Sequence, residues 1–169
     1  MTISVLTDKD VKPLVDLVNS AYRGDSSKKG WTTEADLLDG MRTDEEYIKE
    51  LLQKKGSTIL IANNDTGHMV GCVYLQQEDQ GLYLGMLTVS PEIQSRGIGK
   101  QLLQAAETHA INNHCHYIKM TVLDVRHELI AWYERHGYVN TGATKPFELE
   151  SRFGIPKQPL QFIIIKKDL

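Results

Sequence analysis

Cysteine is scarce in this chain, with only Cys72 and Cys115 in 169 residues. Neither stands in a CxxC or other ligand spacing, and two thiols cannot staple a small secreted scaffold, so a reducing compartment is expected. No apolar run approaches the ~20 residues that span a bilayer. The opening MTISVLTDKD has no basic stretch and no apolar core and does not read as a signal peptide. An excess of one charge is missing as well: 19 Lys and Arg stand against 22 Asp and Glu, a net charge of −3. No global field favours nucleic acid or an anionic membrane, so any anion site has to be local. Low-complexity tracts, repeats and linkers are not found. The expectation is a soluble, cytoplasmic protein folded as one domain over 1–169, since ~100–200 residues is ordinary domain length.

With 41% hydrophobic and 24% charged residues, the composition is that of a globular protein. Ile3 to Leu6 alternates as a short strand. Asp10 can cap a helix whose apolar face is Val11, Leu14, Val15, Val18 and Ala21, with Pro13 in the first turn where its missing N–H does no harm. Tyr22 to Arg42 is polar and glycine-punctuated, with a short helical piece over Thr33 to Leu38. The capping box Thr43-x-x-Glu46 opens another helix, which stops near Gly56. Strands follow over Ser57–Ala62, His68–Gln76 and Leu82–Val89, the first two joined by a polar turn and so antiparallel. Helical spacing returns at Ile98, Leu102, Ala106 and Ala110. A strand over Tyr117–Val122, a helix over Arg126–His136 ended by Gly137, and strands at Tyr138–Thr141 and Leu160–Ile165 complete the chain. This order predicts a mixed α/β fold with an antiparallel first half and a strand–helix–strand unit in the middle.

The stretch Leu84 to Glu107 carries the chemistry. A strand runs into Pro91, and Gln94-Ser95-Arg96-Gly97-Ile98-Gly99 opens an amphipathic helix. A helix N-terminus presents unpaired N–H groups and about half a positive charge. Glycines at 97 and 99 let an anion approach the backbone, and Arg96 and Lys100 can add charge-assisted contacts, which suits a diphosphate. The same short pattern also closes ordinary strand–helix joints. Two other phosphate motifs fail: Gln94 and Gln101 occupy the positions where a Walker loop needs Gly and Ser or Thr, and Leu102 stands where a dinucleotide fingerprint needs its third glycine.

Val89-x-Pro91…Gln94-x-x-Gly97-x-Gly99…Leu102-Leu103 resembles the coenzyme-A pyrophosphate motif of the GNAT superfamily of N-acetyltransferases. Leu129 to Tyr138, LIAWYERHGY, resembles that family's second signature, a helix bearing Y-x-x-x-G-[FY]. The resemblance covers about Leu82 to Tyr138. It implies an α/β fold with a mixed, mostly antiparallel sheet of about seven strands, splayed at its centre, with helices on both faces. It also implies acetyl-CoA as co-substrate. Its pantetheine arm would lie along backbone groups of Leu87, Thr88 and Val89, and its diphosphate against Gln94, Ser95, Arg96, Gly97, Ile98, Gly99 and Lys100. A backbone N–H near Leu87 would stabilise the oxyanion. Tyr133 would contact the coenzyme and act as general acid toward the departing thiolate, although helix spacing alone also allows a core tyrosine. Many family members carry an asparagine where this sequence has Arg126. That arginine can reach a phosphate of the coenzyme or pair with Asp124 or Glu128.

For the acceptor, the resemblance points to Tyr22–Arg42 and Phe147–Gln158. The first segment holds Trp31, Glu34, Asp36 and Asp39, which could receive a cationic amine by ion pairing or cation–π contact; a solvated loop would look the same. Glu34 is the candidate general base, with His68 and His127 behind it. The expected acceptor is a small-molecule amine or an amino-acid-like one. His109, His114, Cys115 and His116 lack the paired spacing of a zinc site, so no metal is expected. A homodimer is compatible with all of this. The competing readings are a coenzyme-A-binding sensor without catalysis and a nucleotide-binding interaction module.

Overall fold

Ile59, Leu60, Ile61 and Ala62 are buried one after another, which a strand allows only when both faces of its sheet are covered. The computed structural model, which describes residues 1–148 and 153–169, covers both. In chain order its elements are β1 (Thr2–Val5), α1 (Val11–Tyr22), the single turn α2 (Gly24–Ser27), β2 (Leu38–Asp39), α3 (Glu45–Gln53), β3 (Ser57–Asn63), β4 (Met69–Glu78) and β5 (Gly81–Val89). Then come α4 (Ile98–Asn112), β6 (Tyr117–Leu123), α5 (His127–Arg135), β7 (Val139–Pro146), β8 (Ile155–Pro156) and β9 (Gln161–Asp168). Seven strands form one sheet in the order β1-β3-β4-β5-β6-β9-β7, and β2 with β8 makes a separate two-stranded piece. Every neighbouring pair in the large sheet is antiparallel except β5 and β6. The mixed, mainly antiparallel α/β architecture is therefore the one expected.

Strand alternation sorts the core into two layers. Ile59, Ile61, Cys72 and Tyr74 face α1 and α3, meeting Leu14, Val18, Ile48 and Leu51. Leu60, Ala62, Val73 and Leu75 face α4, meeting Leu102, Leu103 and Ala106. Gly71 lets α4 settle on the sheet: a Cβ there would stand 2.8 Å from Leu102 and 2.9 Å from the Thr88 carbonyl.

Three local expectations shift. The N-terminal capping box is Thr7 with Asp10, one turn before α1, because the Asp10 carboxylate accepts from the Thr7 amide at 3.0 Å. Asp44, not Thr43, caps α3, accepting from the Tyr47 amide at 2.8 Å. Thr43 is buried, with its backbone held by Asn19. The short helix of the first connection lies at Gly24–Ser27, while Leu38 and Asp39 pair with Pro156 and Ile155.

Candidate active site

The parallel pair β5 and β6 is joined only at its beginning, with Gly81, Leu82 and Tyr83 opposite Tyr117, Ile118 and Lys119. The Tyr117 ring lies over Gly81, where a Cβ would meet it at 2.1 Å, and this pins the closed end. Beyond it β5 runs on to Val89 and β6 to Leu123 with no pairing between them. A bulge helps part them. Between Cys72↔Thr88 and Tyr74↔Gly85, β5 takes three steps against two on β4, and Met86 accommodates the extra residue at φ +53°. Bulges bend a strand and increase its twist. The Leu87 and Val89 carbonyls turn away from β4. Leu87 accepts from the Tyr22 hydroxyl, and Val89 accepts from Gln94 Nε2 at 3.2 Å. Thr88 points its side chain the other way, into the buried side, donating to the Met86 carbonyl at 3.0 Å.

Where β5 ends, the chain turns into α4 through two left-handed residues, Ser95 at φ +71° and Gly97 at φ +77°. A serine held there is strained, and strain of this kind gathers where a loop must aim its amides. Left-handed residues interleaved with right-handed ones turn successive N–H groups inward as an anion nest. That nest abuts the N-terminus of α4, which no side chain caps. Ser95, Gly97, Ile98, Gly99 and Lys100 line a cleft of about 510 Å³ whose far wall is Trp132 and Arg135 of α5. A Cβ at Gly99 would make ordinary contacts, 3.6 Å from both Trp132 and Val89, so the fold itself does not demand glycine there. Arg96 is exposed and lies outside the lining of the cleft.

Gln94 ties a strap across this region. Its Oε1 accepts from the Trp31 amide at 2.8 Å and its Nε2 donates to Thr32 Oγ1 at 2.8 Å, with Gly30 beneath it. From the other side Arg126, at the start of α5, donates to the Thr32 carbonyl and pairs with Glu34 Oε1 at 3.2 Å. Residues 30–34 thus bridge the two halves of the splayed sheet. Trp31 packs toward Trp132, ring centroids 6.3 Å apart, and lines the cleft at the nest. Arg126 therefore meets neither Asp124 nor Glu128 as an ion-pair partner among the described residues. Glu34 is buried and held on both oxygens, by Arg126 and by Arg23 at 3.1 Å. Arg23 itself spreads to the Phe153 and Met41 carbonyls at 2.6 and 3.1 Å. A carboxylate clamped by two guanidinium groups acts as a bracket that ties α1 to the start of α5.

Inside the split lies a larger cavity of about 670 Å³, reached by Tyr133, Tyr22, Leu87 and Arg126. Tyr133 is 5% exposed, and among the described residues its hydroxyl has no hydrogen-bond partner. Burial pushes its phenol well above the usual tyrosine range, with the nearby Arg126 pulling the other way. Burial likewise raises Tyr22, opposed by Arg126 and Arg42. The other candidates sit elsewhere. His68 bonds Thr66 in the β3–β4 turn, and exposed His127 lines neither cavity. Asp36 and Asp39 pair with Lys28 and Lys157 at 3.8 and 3.1 Å. Of the second acceptor segment, residues 149–152 lie outside the described residues, while Phe147 and Glu148 line the cavity. Tyr22, Arg42, Trp132 and Arg135 are not singled out as site residues from sequence, although Trp132 and Arg135 stand inside the second motif and Tyr22 and Arg42 bound the first acceptor segment.

The family model described as acetyltransferase (GNAT) family matches residues 16–138. The chain belongs to this family. The match takes in the nest, the strap and Tyr133, and stops at the start of β7. A Bacillus subtilis protein, described as uncharacterized protein YdhI, is 31% identical over 77 residues, 46% of this chain and 47% of the relative, so the chain spans about half the length of the curated relative it matches. The ribosomal-protein-S18-alanine N-acetyltransferase of Escherichia coli shares the fold with a TM-score of 0.74 at 16% identity, covering 99% of this chain and 92% of that one. A GNAT acetyltransferase from Elizabethkingia anophelis, solved with acetyl-CoA bound, superposes with a TM-score of 0.60 at 18% identity over 75% of this chain and 84% of that one. No helix among the described residues is long and apolar enough to cross a membrane.

Proposed function

We propose that the chain is an N-acetyltransferase that carries an acetyl group from acetyl-CoA to a primary amine by direct attack on the thioester. The observation that carries this reading is the unpaired run of β5 beside β6, ending at a backbone nest on a helix N-terminus. The split leaves Leu87 and Val89 turned toward a ligand that can lie in it as an additional strand, and the nest suits the diphosphate at that ligand's other end. Ser95, Gly97, Ile98, Gly99 and Lys100 would hold the diphosphate through backbone amides and one ammonium, with Arg135 opposite. Gln94 serves by bracing the strap, and Arg126 by closing it from the other side. Thr88, whose side chain is turned inward, contributes only through the backbone.

In the reaction the amine nitrogen attacks the thioester carbonyl carbon, the C–S bond breaks, and the sulfur takes up a proton. Tyr133 is the donor this reading assigns: a buried phenol kept neutral, with a free O–H in the cavity. The proton lost from nitrogen passes to water, because Glu34 is committed to its two arginines. The bulge at Met86 supports assigning a backbone N–H near Leu87 as the donor to charge developing on the carbonyl oxygen.

Thermal unfolding with and without ligand tests the first half. Acetyl-CoA at about 100 times its Kd should add ~2.7 kcal/mol of stability, whereas ATP and NAD should add little. Release of free thiol with a panel of primary amines tests the second half. Equal stabilisation by all three nucleotides would overturn the coenzyme assignment. Binding with no thiol release would leave a coenzyme-A sensor.

A further inference from the structure

The net negative charge of the whole chain is reversed inside the larger cavity. Among the described residues its lining holds six basic and three acidic side chains. Glu34 is consumed between Arg23 and Arg126, and Glu78 is consumed by Lys119 at 2.8 Å. What remains is Arg42, Lys54 and Lys145 against Glu148, none of which has an ion-pair partner among the described residues.

Lys54 and Lys145 are exposed at the rim, but Arg42 is half-buried and built in. Asn19 grips the backbone on both sides of it. Its Oδ1 accepts from the Arg42 and Thr43 amides at 2.7 and 3.1 Å, and its Nδ2 donates to the Thr43 carbonyl at 3.0 Å. Arg23 holds the preceding carbonyls of Gly40 and Met41. The side chain projecting from this fixed base sets its guanidinium carbon 5.7 Å from the centre of the Tyr22 ring. The hydroxyl of that same ring reaches the Leu87 carbonyl in the bulge. One phenol therefore separates an unpaired guanidinium from the backbone where acyl transfer is assigned.

We infer that Arg42 is the anchor for an anionic group on the acceptor, and that the acceptor is a small amine bearing a carboxylate or similar anion a few bonds from its nitrogen. This inference rests on the acyl-transfer reading of the same cavity. A guanidinium suits a carboxylate because its planar N–H groups match the two oxygens. The same excess of positive charge opposes polyamines, since among the described residues the one unpaired carboxylate of the lining, Glu148, is outnumbered by three unpaired cations. It also favours the neutral, nucleophilic form of a bound amine, because neighbouring cations disfavour a further one.

The test is a thiol-release assay on matched acceptors: amino acids of short chain, their amides, simple alkylamines and spermidine. Wild-type protein should favour the carboxylated acceptors over their amides by at least about tenfold in kcat/KM, with spermidine lowest. Arg42→Gln should erase that preference by raising KM for the carboxylated acceptors about tenfold or more, with KM for acetyl-CoA unmoved, and Arg42→Lys should restore part of it. A wild-type preference for neutral or polycationic amines, or an unchanged ratio in Arg42→Gln, would overturn the inference. Should no amine turn over, the acyl-transfer reading fails by itself. The charge assignment is then judged by whether N-acetylated amino acids, and not spermidine, bind the coenzyme-A-saturated protein in an Arg42-dependent way.

Discussion

Tyr133 and Gly99 show how differently two residues of one site can be written into a sequence. Tyr133 belongs to a helical motif, and its spacing alone suits a core position as well as a catalytic one. Among the described residues Tyr138 is a buried tyrosine with an equally unpartnered hydroxyl, so what separates Tyr133 from a core tyrosine is that it lines the cavity in the split. If it delivers the proton to sulfur, Tyr133→Phe should lower kcat by about a hundredfold or more, with acetyl-CoA affinity held within a few-fold by titration calorimetry. Full kcat across about pH 7 to 9 would remove it from the mechanism. Gly99 is legible as part of a glycine pattern, and its missing Cβ is not required by any neighbour at 3.6 Å. On the proposed function it leaves room for the coenzyme's diphosphate. Gly99→Ala should therefore leave Tm unchanged or raise it slightly, since alanine favours a helix by up to about 1 kcal/mol. The same change should weaken acetyl-CoA about tenfold or more, and a drop in Tm would mean the glycine is there for packing.

At the scale of elements, the strap of residues 30–34 is the part that sequence reasoning could not assemble. Glu34 was recognised as the most interesting carboxylate of its loop, but its two guanidinium partners come from positions 11 earlier and 92 later in the chain. Only closure of the fold brings α1, the strap and α5 to one point. A base and a bracket predict opposite outcomes. Glu34→Ala leaves the Arg23 side chain, 4% exposed, without its counter-charge, and should cost about 3 kcal/mol in a denaturant titration. Glu34→Gln, which keeps the shape, should lose less stability and retain substantial kcat. Intact stability with abolished turnover in the glutamine variant would reinstate Glu34 as the base. The bulge in β5 has the same character: Met86 is an ordinary apolar residue in an apolar strand, and nothing in its neighbours announces a left-handed backbone.

For the whole molecule, the buried phenols shape the alkaline limit of stability. Burial raises Tyr22, Tyr133 and Tyr138, and pushes Tyr74 and the Cys72 thiol up to about 12. Each group is neutral while protonated, so the folded state keeps protons that the unfolded chain releases above its ordinary pKa, about 10 for tyrosine. For the tyrosines that contribution to stability is intact below that pH, for Cys72 below about 9, and each is lost as pH rises from there toward the folded values. The denaturation midpoint should be flat through neutrality and fall steeply above about pH 10, by up to ~1.4 kcal/mol per pH unit for each such group. Phenolate absorbance from the buried tyrosines should appear together with loss of the circular dichroism signal. Their ionisation in a still-folded chain would contradict this.

The order of the main strands and helices and the glycine turn after β5 were determined by the sequence itself. They rest on local physics: period-two and helical spacing of apolar residues, caps, and the conformational freedom of glycine. The parting of β5 from β6, the clamp on Glu34 and the positive cavity around Arg42 were decided only by the tertiary structure. Each depends on groups far apart in the chain meeting at fixed distances, and the strength of an ion pair or the vacancy of a hydroxyl is set by what stands beside it.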